Sequence, residues 1–357
     1  MKFFSDFLQK YQRHLPAAAL LLGLIWDSIT LGRPDRLFDN AVLLFYLFVA
    51  GTFIVLMSRR EHRGKERSFW FLLITQFAFG NLASGLLILY NVSATISGNW
   101  IFLLLLGGFL IGNEVFQNRY DRLRFNTTVF YLLLLAYTSL AVPVLLRSID
   151  TWVFFISGLI SLVVIGLFLF LLRYSAPRTF EVNKTALIRG ILGVLVFFNV
   201  FYFFNLIPPV PLAAREVGIF HSVERLSSDT TSGHLYRVSY EKGKWYQFWK
   251  KSDTLMHVGT PGDAYCFSAV FAPSRLSTSL FHHWERYNEI TEKWESASRV
   301  EFRILGGRDG GYRWYSEKTV SPGQWRCSVE TERGSLLGRT EVTVVPGEPA
   351  ELVVDTR

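Results

Sequence analysis

What the sequence lacks narrows its reading first. No nucleophile, histidine and acid stand in an arrangement that marks a hydrolase. No glycine loop leads into a helix to cradle phosphate, because Gly306 to Gly311 lies between segments of strand character. His257, His282, His283 and Glu285 share no metal-ligand spacing on one element, and adjacent histidines on a strand face opposite ways. No catalytic residue, cofactor motif or metal set emerges, so an enzyme is the less favoured of the readings. Excess basic charge is missing from the second half: residues 1–209 hold 18 Lys+Arg against 10 Asp+Glu, and residues 210–357 hold 19 against 19. The basic pI of about 9.4 therefore comes from the first half, and nothing supports nucleic-acid binding. Long apolar runs are missing after Leu212, and only two cysteines occur.

What is present is a series of apolar runs. Half of the residues are hydrophobic and 32 are Phe, a composition that suits a membrane protein. The stretch from Leu187 to Leu212 divides the chain. It opens as an apolar helix of about twenty residues, enough to cross a bilayer core of roughly 30 Å. It closes at Pro208, Pro209 and Pro211, which cannot continue a helix. Earlier runs at 16–31, 39–57, 69–91, 99–116, 127–146 and 151–172, with 187–207, predict seven spans in a bundle over residues 1–209. The run from Pro16 is an uncleaved span, since Ala17, Ala18 and Ala19 stand at its start, not where a signal peptidase would cut.

Positive charge in the loops sets the orientation. Arg59, Arg60, Arg63, Lys65 and Arg67 fill the second loop, Arg119, Arg122 and Arg124 the fourth, and Arg173, Arg178 and Lys184 the sixth. The alternate loops hold only Arg33 and Arg36, then no Lys or Arg, then Arg147. The positive-inside rule puts the rich loops and the amino terminus in the cytoplasm, so seven crossings export residues 210–357. Asp27, Gln76, Asn81, Glu114 and Asn199 fall inside the apolar runs. Asp27 and Glu114 are intramembrane acids that mark either a substrate path or, with the amides, hydrogen bonds between helices. Gly80 and Ser84, and Gly107, Gly108 and Gly112, are spaced for close helix packing.

From Glu216 onward short alternating segments are separated by Gly and Pro turns. Leu235–Tyr240 and Lys244–Trp249 read as a hairpin across Glu241-Lys242-Gly243. Further strands are predicted at 264–271, 280–287, 300–305, 312–320, 324–331 and 339–345, with a last edge at 352–354. Strands about ten residues apart indicate a sandwich, and the order Cys266, Trp284, Cys327 is that of an immunoglobulin-like core stapled between two sheets. An exported domain can form that bridge, and two buried thiols that never meet is the alternative.

The motifs Tyr265-Cys-Phe-Ser-Ala-Val-Phe-Ala-Pro273, His282-x-Trp284, Gly306-Gly-Arg-Asp-Gly-Gly-Tyr-Arg313, Tyr315-Ser-x-Lys318, Pro322-Gly-x-Trp-Arg326, Val329-Glu-Thr331 and Leu337-Gly-Arg339 carry a resemblance. Residues 216–345 are similar to the domain of unknown function 2914, which follows a multi-span half in bacterial membrane proteins. The resemblance implies a Gram-negative inner-membrane protein with no established activity and no known cofactor.

His282 and Trp284 lie on one strand face, with Tyr315 and Lys318 on a neighbouring or facing strand. Together with Arg308, Asp309 and Arg313 they form a candidate ligand face of flat rings and convergent charge, suited to a sugar or an anionic group. Core packing of the large aromatics is the competing account. Two functions are expected. One is a membrane-lipid-embedded anchor whose domain binds an envelope glycan or a periplasmic protein. The other is a transporter, or an intramembrane enzyme acting on a lipid-linked substrate, with the β domain accessory.

Overall fold

A computed structural model describes residues 25, 27–65, 68–95, 99–115, 123–226, 235–242, 254–259, 262–273, 276–307, 310–349 and 351–357. The chain divides into two compact units, Met1–Val92 with Trp100–Ile207, and Ser93–Asn99 with Pro208–Arg357.

The first unit is helical. Its described helices are α1 (Leu37–His62), α2 (Phe69–Ser93), α3 (Trp100–Val115), α4 (Leu123–Leu146), α5 (Thr151–Ser175) and α6 (Pro177–Phe203). Five of them, all but α3, are long and apolar enough to cross a membrane. The 16 residues of α3 rise about 24 Å, less than a bilayer core of roughly 30 Å. Of the first expected span only its end is described, with residues 27–30 helical.

α4 is the most enclosed helix, with side chains buried on every face from Val129 to Pro143. Its neighbours are tied to it by tyrosines: Tyr90 on α2 donates to the Ala136 carbonyl (2.9 Å), and Tyr131 bonds Ser161 on α5 (3.3 Å). α6 packs through one stripe, Phe180, Leu187, Ile191, Val194, Phe198 and Tyr202, the spacing of one helix face. Tyr202 stacks on Phe154 of α5 at 3.6 Å. The outer side of α5 presents Phe155, Leu159, Val163, Leu167 and Phe170, each more than half exposed. An open apolar stripe of this length suits a helix that crosses a membrane.

Three expectations for the helices need correction. The sixth loop is almost entirely helix: Ala176 alone separates α5 from α6, with Pro177 at the first position of α6. Proline is favoured there and turns the residue before it away from the helical region. Among the described residues Gly107 and Gly108 do not mediate packing, since no atom of these lies within 4 Å of where a Cβ would stand. Close approach occurs instead at Gly51 against Phe130 and at Gly85 against Leu43. Asn81 and Asn199 donate to carbonyls of their own helices, Phe77 and Leu195 (both 2.8 Å), and not across to a neighbour.

The second unit is β-rich. A three-stranded sheet runs β1 (Ala213–Phe220), β5 (Gly262–Phe271), β8 (Tyr312–Val320). A five-stranded sheet runs β4 (Leu255–Val258), β10 (Leu336–Pro346), β9 (Gly323–Thr331), β6 (Ser277–Asn288), β7 (Lys293–Leu305). A second three-stranded sheet runs β11 (Leu352–Thr356), β3 (Leu235–Glu241), β2 (Ser222–Leu226). Among these pairs only β4 with β10 is parallel. The first strand of the expected hairpin across 241–243 is β3, which lies between β11 and β2, and its second strand, Lys244–Trp249, lies outside the described residues.

The first and five-stranded sheets share one core: Ile219, Ala264, Cys266 and Val320 from one side, Met256, Trp284, Trp325, Cys327, Val342 and Val344 from the other. Cys266 and Cys327 are disulfide-bonded across it. The second three-stranded sheet adds a smaller core of Val223, Tyr236 and Val238 against Phe220, Phe267 and Ala269. Gly311 holds φ +83° with the Val270 backbone 3.0 Å from a would-be Cβ, so a side chain there meets both strain and main chain.

Candidate functional site

Alternation along β6 decides where its polar groups point. Even-numbered His282 and Trp284 face inward and are wholly buried, whereas His283 and Glu285 face the other side of the sheet. Trp284 packs in the core that holds the disulfide, and its Nε1 donates to Ser316 Oγ (3.1 Å). His282 bonds Ser316 Oγ through Nδ1 (2.9 Å) and Ser268 Oγ through Nε2 (2.8 Å). A neutral imidazole satisfies both serines, being donor at one nitrogen and acceptor at the other. Burial pushes the His282 pKa down to about 3, so it stays neutral. Phe302 and Trp314, stacked at 4.5 Å, close over the ring. This set pins the five-stranded sheet to β5 and β8.

The expected ligand face is therefore divided. His282 and Trp284 are interior. Tyr315 has opposite parity to Ser316 and turns to Tyr236 and Tyr265. Arg313 shares the Tyr315 side, and its carbonyl accepts from Tyr236 at 3.5 Å. Lys318 lies on the Ser316 side, at the strand end, donating to the Ala297 carbonyl (3.3 Å). Arg308 and Asp309 lie outside the described residues. Strand parity separates what sequence proximity suggested. Cys266, His282 and Cys327 are the one group among the described residues whose ligand atoms fall within 4.8 Å of one another. With the sulfurs bonded to each other, neither is a thiolate that binds metal.

The open face of the five-stranded sheet is a lattice of paired charge and aromatic rings. Glu285 and Arg326, opposite one another on β6 and β9, form a bidentate pair at 2.6 and 2.8 Å. The Arg326 guanidinium lies 4.3 Å from the Trp294 ring centre, and Trp294 meets Tyr287 at 5.3 Å. Arg339 donates to Ser328 (2.8 Å), and His283 bridges Ser296 (2.9 Å) and Glu330 (3.4 Å). Arg299 stacks over Phe281 at 3.9 Å. Burial alone would raise the Glu285 pKa, but the Arg326 hydrogen bonds and charge hold it below the usual carboxylate range. Burial, then the Arg326 charge, lowers that of Arg339. Sequence reasoning missed Arg326, Trp294 and Arg339. For Arg326 the readable signal was the alternation Gln324-Trp-Arg-Cys-Ser-Val-Glu330, whose polar members share the outer side of the sheet.

A groove of about 390 Å3 opens at one end of the sandwich, lined by Arg286, Ala297, Lys318, Thr319, Val320, Ser321 and Trp325. Arg286 donates to the Pro322 carbonyl (3.1 Å) and sits 5.9 Å over the Trp325 ring, while Trp325 Nε1 donates to the Ser321 carbonyl (2.8 Å).

In the helical unit Asp27 is buried beside the Ser84 hydroxyl, and among the described residues neither group makes a hydrogen bond of good geometry. Asp39 accepts from the Gly32 and Arg33 backbone amides, both at 3.0 Å. Glu114 falls on α3, and its side chain lies outside the described residues.

Residues 277–344 match the family model described as a protein of unknown function, DUF2914. The C-terminal region thus carries a DUF2914-like domain. The match spans β6 to β10, the strands that carry the charged lattice and the groove, and it begins after the Tyr265–Pro273 motif. No curated protein matches the chain. Among solved structures, a β-glucosidase from Listeria innocua in complex with isofagomine is 10% identical over 32% of this chain and 16% of that one, with a TM-score of 0.20. The Pseudomonas fluorescens alkylpurine DNA glycosylase AlkC, bound to DNA containing an abasic site analog, is 9% identical over 88% and 99%, with a TM-score of 0.23. Likeness at these scores carries no functional argument.

Proposed function

We propose that this chain is a bacterial inner-membrane protein of seven spans that displays an immunoglobulin-like sandwich in the periplasm, where it binds an envelope glycan or a partner protein. The observation that carries the reading is the outer lattice of Glu285, Arg326 and Trp294. A sheet face turned to solvent needs only scattered polar residues. Here charges and rings are held in fixed relation, the kind of surface that binds with little loss of side-chain freedom. The loop charges support the orientation, and an oxidising compartment suits the Cys266–Cys327 bridge.

A photo-crosslinking residue at Glu341, exposed and opposite Arg326 across β10 and β9, tests this in intact cells. The expected result is a discrete adduct from position 341, lost in Arg326→Ala, with none from Ile290 on the β6–β7 turn. Equal labelling from both positions, or none from 341, overturns it. One observation favours a second reading, a transporter or an enzyme for a lipid-linked substrate: the buried Asp27, whose carboxylate has no hydrogen bond of good geometry among the described residues. If Asp27→Asn abolishes the cellular phenotype of the protein while Arg326→Ala leaves it intact, that reading replaces the first.

A further inference from the structure

The groove at the end of the sandwich joins two cations that have no carboxylate partner among the described residues. Lys318 uses one of its three N–H donors, on the Ala297 carbonyl, and Arg286 uses one of its five, on Pro322. The acids nearest in register are turned elsewhere. Glu295, opposite Arg286 on β7, accepts from Asn288 (2.7 Å), and Asp263, opposite Thr319 on β5, accepts from that threonine (2.8 Å). Glu285 is held by Arg326 on the other face of the sheet, and Glu317 receives the Tyr265 hydroxyl (3.2 Å). The floor is apolar, formed by the buried Trp325 and Val320.

We infer that this groove is a binding site for a small organic anion, one carboxylate or phosphate carried on a ring, with Lys318 and Arg286 holding the anionic group above the apolar floor of Trp325 and Val320. Each cation is already fixed by a backbone carbonyl, so binding freezes little further motion. The volume of about 390 Å3 suits a single sugar-sized ring and lies within the range of small-molecule sites. Arg286 presents remaining donors in a planar fork that matches a carboxylate or phosphate edge, and Lys318 adds a point charge from the facing sheet. All four residues fall within 277–344. The site is separate from the charged lattice on the outer face, so adduct formation at Glu341 and occupancy of this groove stand or fall independently.

The test is calorimetric titration of the full chain in a neutral detergent at low salt with glucuronate, glucose 1-phosphate, inorganic phosphate and glucose. The expected result is saturable binding of glucuronate or glucose 1-phosphate, no binding of glucose, and weakening with added salt. Lys318→Ala and Arg286→Ala should each reduce affinity at least tenfold with an unchanged thermal midpoint, and Lys318→Glu should abolish binding. Both alanine changes remove partly or fully exposed side chains, so the fold survives them. Absence of binding by both sugar anions, indifference to both substitutions, or inorganic phosphate binding as tightly as the ring-bearing anions would each overturn the inference.

Discussion

The two units of this chain differ in how far their polar groups reach. In the helical unit several small polar side chains close on their own helix: Ser58 donates to Ile54, Ser157 to Val153, Asn81 to Phe77 and Asn199 to Leu195, while Ser161 and Asn40 meet tyrosines of α4. In the β unit polar groups reach across strands and sheets, as His282 does to β5 and β8 and Arg326 to β6. Their surfaces differ in the same sense, Phe and Leu outward on α5 and charge outward on β9 and β10. Each surface suits a different solvent. A side chain bonded to its own helix leaves the outer surface apolar, as a helix that could cross a membrane requires. Cross-strand pairs add registry while leaving charge on the surface.

The largest expected effect is on the staple of the β unit. Changing both Cys266 and Cys327 to Ala opens a link across 61 residues, and chain entropy puts the loss at about 4 kcal/mol. Thermal melting of the β signal should report it, while the helical unit keeps its transition. Next is Val163→Lys on the outward stripe of α5, expected to cost about 3 kcal/mol if lipid covers it. Loss of membrane insertion measures this. Full tolerance would mean that α5 faces water.

The third prediction concerns acid. His282 has a folded pKa of about 3 against an ordinary value of 6.5. Above pH 6.5 it is neutral folded or unfolded and adds nothing to pH dependence. As pH falls from 6.5 towards 3, only the unfolded chain takes the proton, so stability drops by up to about 1.4 kcal/mol per pH unit. Glu285 is held below its usual range and loses its contribution only under about pH 4.5, so the upper part of the window isolates the histidine. His282→Gln should flatten the slope between pH 6.5 and 5 in a melting series. The smallest effect is at Ser157→Ala, where one bond within the helix is lost. A change within about 0.5 kcal/mol is expected, because the carbonyl keeps its helical partner.

Much of the fold was legible. The bounds of β8 match the alternation from Tyr312 to Val320, and β9 begins one residue before Gln324, at the glycine of the turn. β7 starts seven residues earlier than its apolar pattern, at Lys293. It is an edge strand whose first residues are partly or fully exposed and mostly polar, so no apolar alternation marks them. The loop before α6 misled because its charges resemble those of a connector, although they occupy exposed helical turns. The site was less readable. Residues 282 and 284 do share a face, as alternation requires, but period two alone cannot say whether that face is core or surface. The groove joins Arg286, Lys318 and Trp325 where the ends of two sheets meet, a relation set by strand order and invisible in any single segment.

The central claim is that apolar helices carry the β unit to an oxidising compartment. The measurement that tests it is the side of the membrane reached by residue 357, read from C-terminal reporters active only in the periplasm or only in the cytoplasm. Periplasmic activity alone is predicted, together with a Cys266–Cys327 bridge resistant to alkylation without reductant. Cytoplasmic activity, with both thiols open to alkylation, would contradict the account.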